Sequence, residues 1–227
     1  MAKQKEERVE VRPISIDVYE DFAHAMRAAY PEWSGTLWRQ ETIARLIGLF
    51  SEGQLGVFIN DRMVGCALSI IIDLDRIGLE HDYRRVTGDY TFNTHTPEGD
   101  TLYGIEVFVH PDQRGKRLGR RLYEARKELC ERLNLRAVMF GGRLPNYHLY
   151  ADRLKPKEYI EKVRMKEIHD PVLSFQLSND FHVVKLVYQF AVQIHPIYLL
   201  FFRITSPRRS SRSYGYATTF SDRPTKK

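Results

Sequence analysis

The sequence predicts an α/β (α+β) domain with a central mixed sheet and helices on both faces. Two observations lead there. Apolar residues recur with period two and period 3.6 in the chain order β, α, α, β, β, β, α, β, α, β, β, and this mixed order stacks helices onto a sheet. The 227 residues are 43% hydrophobic and 28% charged, enough apolar material for a core and too little charge for wholesale disorder.

Val9 to Arg12 reads as a first strand. Ser15 or Asp17 can cap a helix, since either side chain can accept from a free first-turn N–H. Val18, Phe22, Ala25, Met26 and Ala29 then follow at helical spacing. Pro31 and Gly35 break the pattern. A second helix carries Ile43, Leu46, Ile47 and Phe50 on one side. Leu55, Val57 and Ile59 alternate as a strand, Asn60-Asp61 supplies turn residues, and Met63 to about Ile72 completes a hairpin.

Residues 73 to 100 read as a long polar loop, and long loops inside compact domains are commonly functional. Leu102 to Val109 is a strand stopped by Pro111. Leu118, Leu122, Ala125, Leu129 and Leu133 mark one helix face. Ala137 to Phe140 is a short strand ended by Gly141-Gly142. Glu158 to Glu167 reads as a helix and Val172 to Leu177 as a short helix or strand. Late strands are expected at Phe181 to Phe190 and Tyr214 to Phe220, with a mobile Arg/Ser-rich stretch from Ser206 to Ser213.

Composition narrows the function classes. A net charge of +6 favours an anionic ligand without choosing among them. Two cysteines, Cys66 and Cys130, give neither a disulfide framework nor metal-ligand spacing, so a reducing, cytoplasmic location is expected. Met1 to Arg8 lacks an apolar core, so no signal peptide is expected. The apolar run from Val183 to Ile204 is interrupted by Lys185, Gln189, Gln193, His195 and Pro196. It reads as buried strands or a poorly fitting tail rather than a membrane span. No Gly-x-Ser-x-Gly elbow supports a serine hydrolase.

The informative stretch runs from Leu102 to Tyr123. A strand ends at a proline, a short basic loop with glycines follows, and an amphipathic helix begins. The first turn of a helix has unpaired N–H groups and the positive end of the dipole, so a phosphate fits there. Gly115 and Gly119 let the backbone approach it closely. Arg114, Lys116, Arg117, Arg120 and Arg121 add positive charge.

Arg114-Gly-Lys-Arg-Leu-Gly119 resembles motif A of the GNAT superfamily, the Gcn5-related N-acetyltransferases. Arg117 stands where that family usually has glycine. The hairpin from Ile59 to Gly65 and the segment from Ser178 to Phe181 also resemble the family, which covers about residues 9 to 185. The segments 117 to 130, 141 to 145 and 170 to 177 look like one bacterial subfamily in which this domain precedes a carbon-nitrogen hydrolase domain.

The resemblance implies a mostly antiparallel sheet with splayed fourth and fifth strands. It implies an acyltransferase domain over residues 9 to 190, followed by a divergent segment, 191 to 227, with a last strand near 214 to 220. It implies acetyl-coenzyme A as co-substrate, held by Val107, Val109, Arg114, Gly115, Lys116, Arg117, Leu118, Gly119 and Arg120. The acceptor would be a small amine, a protein N-terminus or a lysine. A carbon-nitrogen hydrolase is a possible partner, and neither nucleic acid nor membrane is expected.

Strand alternation places Tyr103, Ile105, Val107 and Val109 on one face and Glu106, Phe108 and His110 on the other. Many members of the family carry a Glu or His base at the place of Tyr103. Glu106 is the nearest carboxylate and a candidate base, with Tyr103 acting through a water; His95 and Asp100 are further candidates. For the acid, the family tyrosine falls near Phe175-Gln176, where none stands. Tyr147 is the first substitute, and Tyr150 the second. The missing carboxylate and tyrosine also suit a second reading, a coenzyme A-binding domain without turnover.

Overall fold

The structure is a computed structural model and describes residues 7–31, 38–187 and 197–203 of the 227-residue chain. It divides into two compact units, Met1–Val138 and Met139–Lys227. The first holds β1 (Val9–Pro13), α1 (Tyr19–Ala29), α2 (Gln40–Phe50), β2 (Gln54–Ile59), β3 (Arg62–Ile72), α3 (Leu74–Ile77), α4 (Tyr83–Val86), β4 (Thr101–Val109) and α5 (Leu118–Arg132). Strands β1 to β4 pair antiparallel in chain order. After the α5 crossover, β5 (Ala137–Arg143) starts beside β4 and runs parallel to it, so the sheet is mixed and mostly antiparallel.

Each face of this sheet is covered by helix. Leu55, Val57 and Ile59 of β2 and Ala67 of β3 cluster with Leu118 and Leu122 of α5, and Val107 and Val109 pack against them. On the opposite face Phe22 of α1 meets Phe108 of β4 edge-on, with ring centroids 5.4 Å apart. The β2–β3 hairpin turns at Asn60 (φ 48°) and Asp61 (φ 67°), a pair of positive φ values that matches strand twist and suits Asn and Asp.

The stretch from 73 to 100 is more ordered than its polarity suggests. Asp73 accepts from the Arg76 N–H and opens α3; Asp82 accepts from the Arg85 N–H and opens α4. Helices this short show no apolar period, which is why the sequence pattern passes over them.

The second unit contains the remainder of β5, which continues through Gly141-Gly142 to Arg143, then α6 (Pro156–Arg164), α7 (Leu173–Leu177), β6 (His182–Val187) and β7 (Ile197–Arg203). Pro156 stands at the first turn of α6, where a missing N–H costs nothing. Val172 to Leu177 resolves as helix, with Asp170 Oδ1 accepting from the Val172 and Leu173 N–H groups. Strands β6 and β7 pair antiparallel. The strand expected at 214 to 220 and the stretch 206 to 213 lie outside the described residues. Among the described residues no helix is long and apolar enough to cross a membrane.

Candidate active site at the β4 bulge and the start of α5

The decisive local feature is a β-bulge in β4. Leu68 pairs with Glu106 and the next residue, Ser69, pairs with Gly104, so Ile105 is an extra residue. Directly paired residues point to the same face, so Glu106 and Gly104 lie on opposite faces although they are two apart. Tyr103, opposite Ile70, returns to the Glu106 face. Simple alternation had put Tyr103 with Val107 and Val109; the bulge corrects this. Val107 and Val109 remain together on the α5 face.

Glu106 gains three donors at the bulge. Tyr30 Oη donates to Oε1 at 2.9 Å, Trp38 Nε1 to Oε2 at 3.1 Å, and the Val107 N–H to Oε1 at 2.9 Å. Trp38 is held by its own carbonyl, which accepts from Tyr19 Oη at 3.0 Å, and by stacking on Phe92. A carboxylate has about four acceptor positions, so one is left for an incoming donor. Tyr83 Oη donates to the carbonyl of the bulged residue, Ile105, at 3.0 Å.

Tyr103 has a different partner. Its ring is buried, and its hydroxyl lies 3.0 Å from Nε2 of His81, whose Nδ1 lies 2.6 Å from the Gly78 carbonyl. Nδ1 must therefore carry the proton, leaving Nε2 to accept from Tyr103. Burial raises the phenol pKa of Tyr103 well above its ordinary value. The sequence reading missed His81, Tyr83, Tyr30 and Trp38 as neighbours of β4. A lone glycine at 104 inside a strand pattern was the available signal for the bulge.

Of the other candidates in this unit, His95 and Asp100 do structural work. His95 Nδ1 accepts from the Ile71 N–H at 3.1 Å and its ring stacks on Phe50. Asp100 accepts from the Leu74 N–H and pairs with Arg136 at 2.9 Å. In the second unit Tyr147 donates to the Leu154 carbonyl at 2.9 Å and lies edge-on to Tyr159, as Tyr150 lies tilted against the same ring. Cys66 and Cys130 are buried thiols; burial raises Cys66, and pushes Cys130 up to about 12. Neither is a nucleophile at neutral pH.

Burial also lowers the pKa of both His81 and His95. Their native forms stay neutral where the unfolded chain, with an ordinary value of about 6.5, takes up protons. Their stabilising contribution is therefore full above about pH 6.5 and is lost as pH falls toward the folded values. Thermal midpoints should fall on acidification from about pH 7 to about pH 5, and His81→Gln should flatten that slope. A slope unchanged by the substitution contradicts the assignment.

The cationic side of the site follows β4. Pro111–Gln113 forms a single 3-10 turn, and residues 114 to 117 are exposed before α5. Arg117 at the N-cap of α5 makes no side-chain cap bond, so among the described residues its first amides have no cap from that residue. Gly115 has φ 82° and open space where a Cβ would stand. Lys116 pairs with Glu7 at 2.7 Å and Arg120 with Glu124 at 2.8 Å. Arg114, Arg117 and Arg121 form no ion pair among the described residues. Leu118 is buried under the sheet and Gly119 is half-buried.

Arg117 has φ 59° and ψ 21°, a left-handed conformation that glycine adopts freely. That geometry explains why glycine is the usual residue at this place in motif A. An L-residue there costs about 1–2 kcal/mol, and glycine returns about 0.5–1 kcal/mol of that through its greater freedom when unfolded. Arg117→Gly should thus raise stability by up to ~1 kcal/mol, read by chemical denaturation. A clear loss would show that the arginine side chain stabilises the loop.

The acetyltransferase (GNAT) family model matches residues 16–154. The chain belongs to that family. Of its relatives, a "Probable hydrolase YhcX" of Bacillus subtilis (strain 168) is 42% identical over 149 residues, covering 66% of this chain and 29% of the relative. An "Uncharacterized N-acetyltransferase YkwB" of the same organism is 33% identical over 141 residues, covering 62% of each. The chain thus spans less than two thirds of either relative. Among solved structures, the loading GNATL domain of CurA from Lyngbya majuscula superposes with a TM-score of 0.72 at 22% identity, covering 86% of this chain and 98% of that one. At that identity the likeness speaks for the fold alone.

Proposed function

We propose that residues 9 to 190 form an N-acetyltransferase domain that moves the acetyl group of acetyl-coenzyme A to an amine by direct attack. The observation that carries this is the bulge: it sets a carboxylate and a backbone donor, Glu106 Oε1 and the Val107 N–H, 2.9 Å apart. The exposed cations and uncapped amides of residues 114 to 120 follow on the same strand–loop–helix unit. Family membership supports acyl transfer, and the unpaired charges of Arg114 and Arg117 suit a diphosphate.

In this reading Val107 and Val109 line the pantetheine arm through their backbone, and Arg114, Gly115, Lys116, Arg117, Leu118, Gly119 and Arg120 hold the diphosphate. Glu106 takes the proton of the attacking amine. The Val107 N–H leaves the Glu106 carboxylate and stabilises the developing oxyanion. The carbon–sulfur bond breaks, and the coenzyme A thiolate is protonated by Tyr147; Tyr103, acting through a water, is the alternative to Glu106 as base. The acceptor is a small amine, a protein N-terminus or a lysine. A carbon-nitrogen hydrolase is the proposed partner and the cytoplasm the proposed location; residues 191 to 227 are a divergent C-terminal segment, from which β7 pairs with β6.

Incubating the full chain with acetyl-coenzyme A and a panel of amines should release free thiol in proportion to acetylated amine. No binding of coenzyme A would overturn the reading. One observation favours a second reading: three donors occupy Glu106 and His81 occupies the Tyr103 hydroxyl, as suits a domain that binds coenzyme A without turnover. Binding with no thiol release on any amine would select it.

A further inference from the structure

Arg126 is a charged residue on the apolar side of α5, four residues from both Leu122 and Cys130. It is 1% exposed, and no carboxylate pairs with it among the described residues. Its guanidinium reaches the β3–β4 seam at the bulge. Nε donates to Ser69 Oγ at 3.1 Å, and Nη2 donates to the Leu68 carbonyl at 2.6 Å and the Glu106 carbonyl at 2.5 Å. Gly104 clears its path, since a Cβ there would stand 2.9 Å from Nη1.

The Glu106 carbonyl and the Val107 N–H belong to one peptide unit. A trans peptide directs the two groups to opposite sides. The carbonyl therefore receives the buried cation, while the N–H points away from it to the Glu106 carboxylate. A charged donor on the carbonyl draws electron density through the peptide and makes the N–H a stronger donor. In a water-poor interior that coupling is screened little.

We propose that Arg126 is a positioning residue: from behind the sheet its guanidinium fixes the β4 bulge and polarises the Val107 N–H toward the reacting acyl group. The inference rests on the acyl-transfer reading. As the amine nitrogen bonds to the thioester carbon, the carbonyl π pair moves onto oxygen, and the Val107 N–H receives that charge. When the carbonyl re-forms, the sulfur leaves with the carbon–sulfur pair. Arg126 exchanges no proton and forms no bond to substrate; it acts only through the intervening peptide.

Arg126→Gln and Arg126→Lys in the full chain test this, with kcat, the KM for acetyl-coenzyme A, and the Val107 amide proton shift as readouts. Arg126→Gln should lower kcat about tenfold or more with little change in KM, and should move the Val107 amide proton upfield. Arg126→Lys, which keeps the charge, should recover part of both. If Arg126→Gln does not fold, Gly104→Ala displaces the guanidinium by crowding Nη1 and should give the same kcat loss and the same shift. Unchanged kcat in a folded variant overturns the proposal, as does an unmoved Val107 shift or equal loss in the lysine and glutamine variants. Should the wild-type chain turn over no amine, the acyl-transfer reading fails, and the Val107 shift still decides whether Arg126 polarises that peptide.

Discussion

Glu106→Gln lowers kcat by about 10²–10⁴-fold, the range expected for loss of a general base, while coenzyme A still binds. The geometry sets this expectation. The carboxylate accepts from Tyr30, Trp38 and the Val107 N–H at once. A glutamine offers one acceptor oxygen, and its NH2 group must face at least one donor that cannot turn into an acceptor, the indole or the backbone amide. Leaving such a donor unmatched costs about 1–3 kcal/mol, so a modest fall in thermal midpoint accompanies the loss of rate. Steady-state kinetics with saturating acetyl-coenzyme A, beside a titration of coenzyme A alone, separates the two. A rate within about threefold of wild type, too little for a lost base, would remove Glu106 from the chemistry.

Gly115→Val weakens coenzyme A binding by tenfold or more, about 1.4 kcal/mol or above, and lowers stability by no more than about 1–2 kcal/mol. Gly115 has φ 82°, and among the described residues no heavy atom beyond its chain neighbours lies within 4 Å of the position a Cβ would take. The fold therefore pays only the local backbone strain of an L-residue at positive φ, with no collision to relieve. The proposed ligand contact is more sensitive. A branched side chain tilts the amides of the loop and stands where a diphosphate must approach the backbone. Calorimetric titration with coenzyme A and denaturant unfolding measure the two losses on the same protein. Equal losses would count against a ligand role for the loop.

The parts of the fold that are readable in the sequence are those whose signals are local. Alternating Leu55, Val57 and Ile59 mark β2, and the spacing of Leu118, Leu122, Ala125 and Leu129 marks α5. The loop from Arg114 to Gly119 shows itself by composition and by the proline before it. Gly104 inside a strand pattern only hints at the bulge, because its position depends on partners distant in sequence: Ser69 opposite Gly104, and Arg126 inserted from another element. One missed residue reversed the face of Tyr103. Tyr30 and Trp38 reach Glu106 across 76 and 68 residues of chain, and a polar loop gave no periodic pattern to single out His81 or Tyr83. Arg126 did leave a trace, a charge on an otherwise apolar helix face.

Arg117 shows how a departure from a family pattern is to be weighed. The backbone at Arg117 takes a left-handed conformation that glycine adopts freely, so an arginine there adds to the cost of the loop. The side chain adds a cation without an ion-pair partner among the described residues.

A crystal structure with acetyl-coenzyme A bound bears most directly on the whole account. It should show the diphosphate on the amides of residues 115 to 119, with the thioester oxygen accepting from the Val107 N–H in place of Glu106 Oε1. A cofactor seated elsewhere, or a Val107 N–H still closed on its neighbour's carboxylate beside a bound thioester, would contradict it.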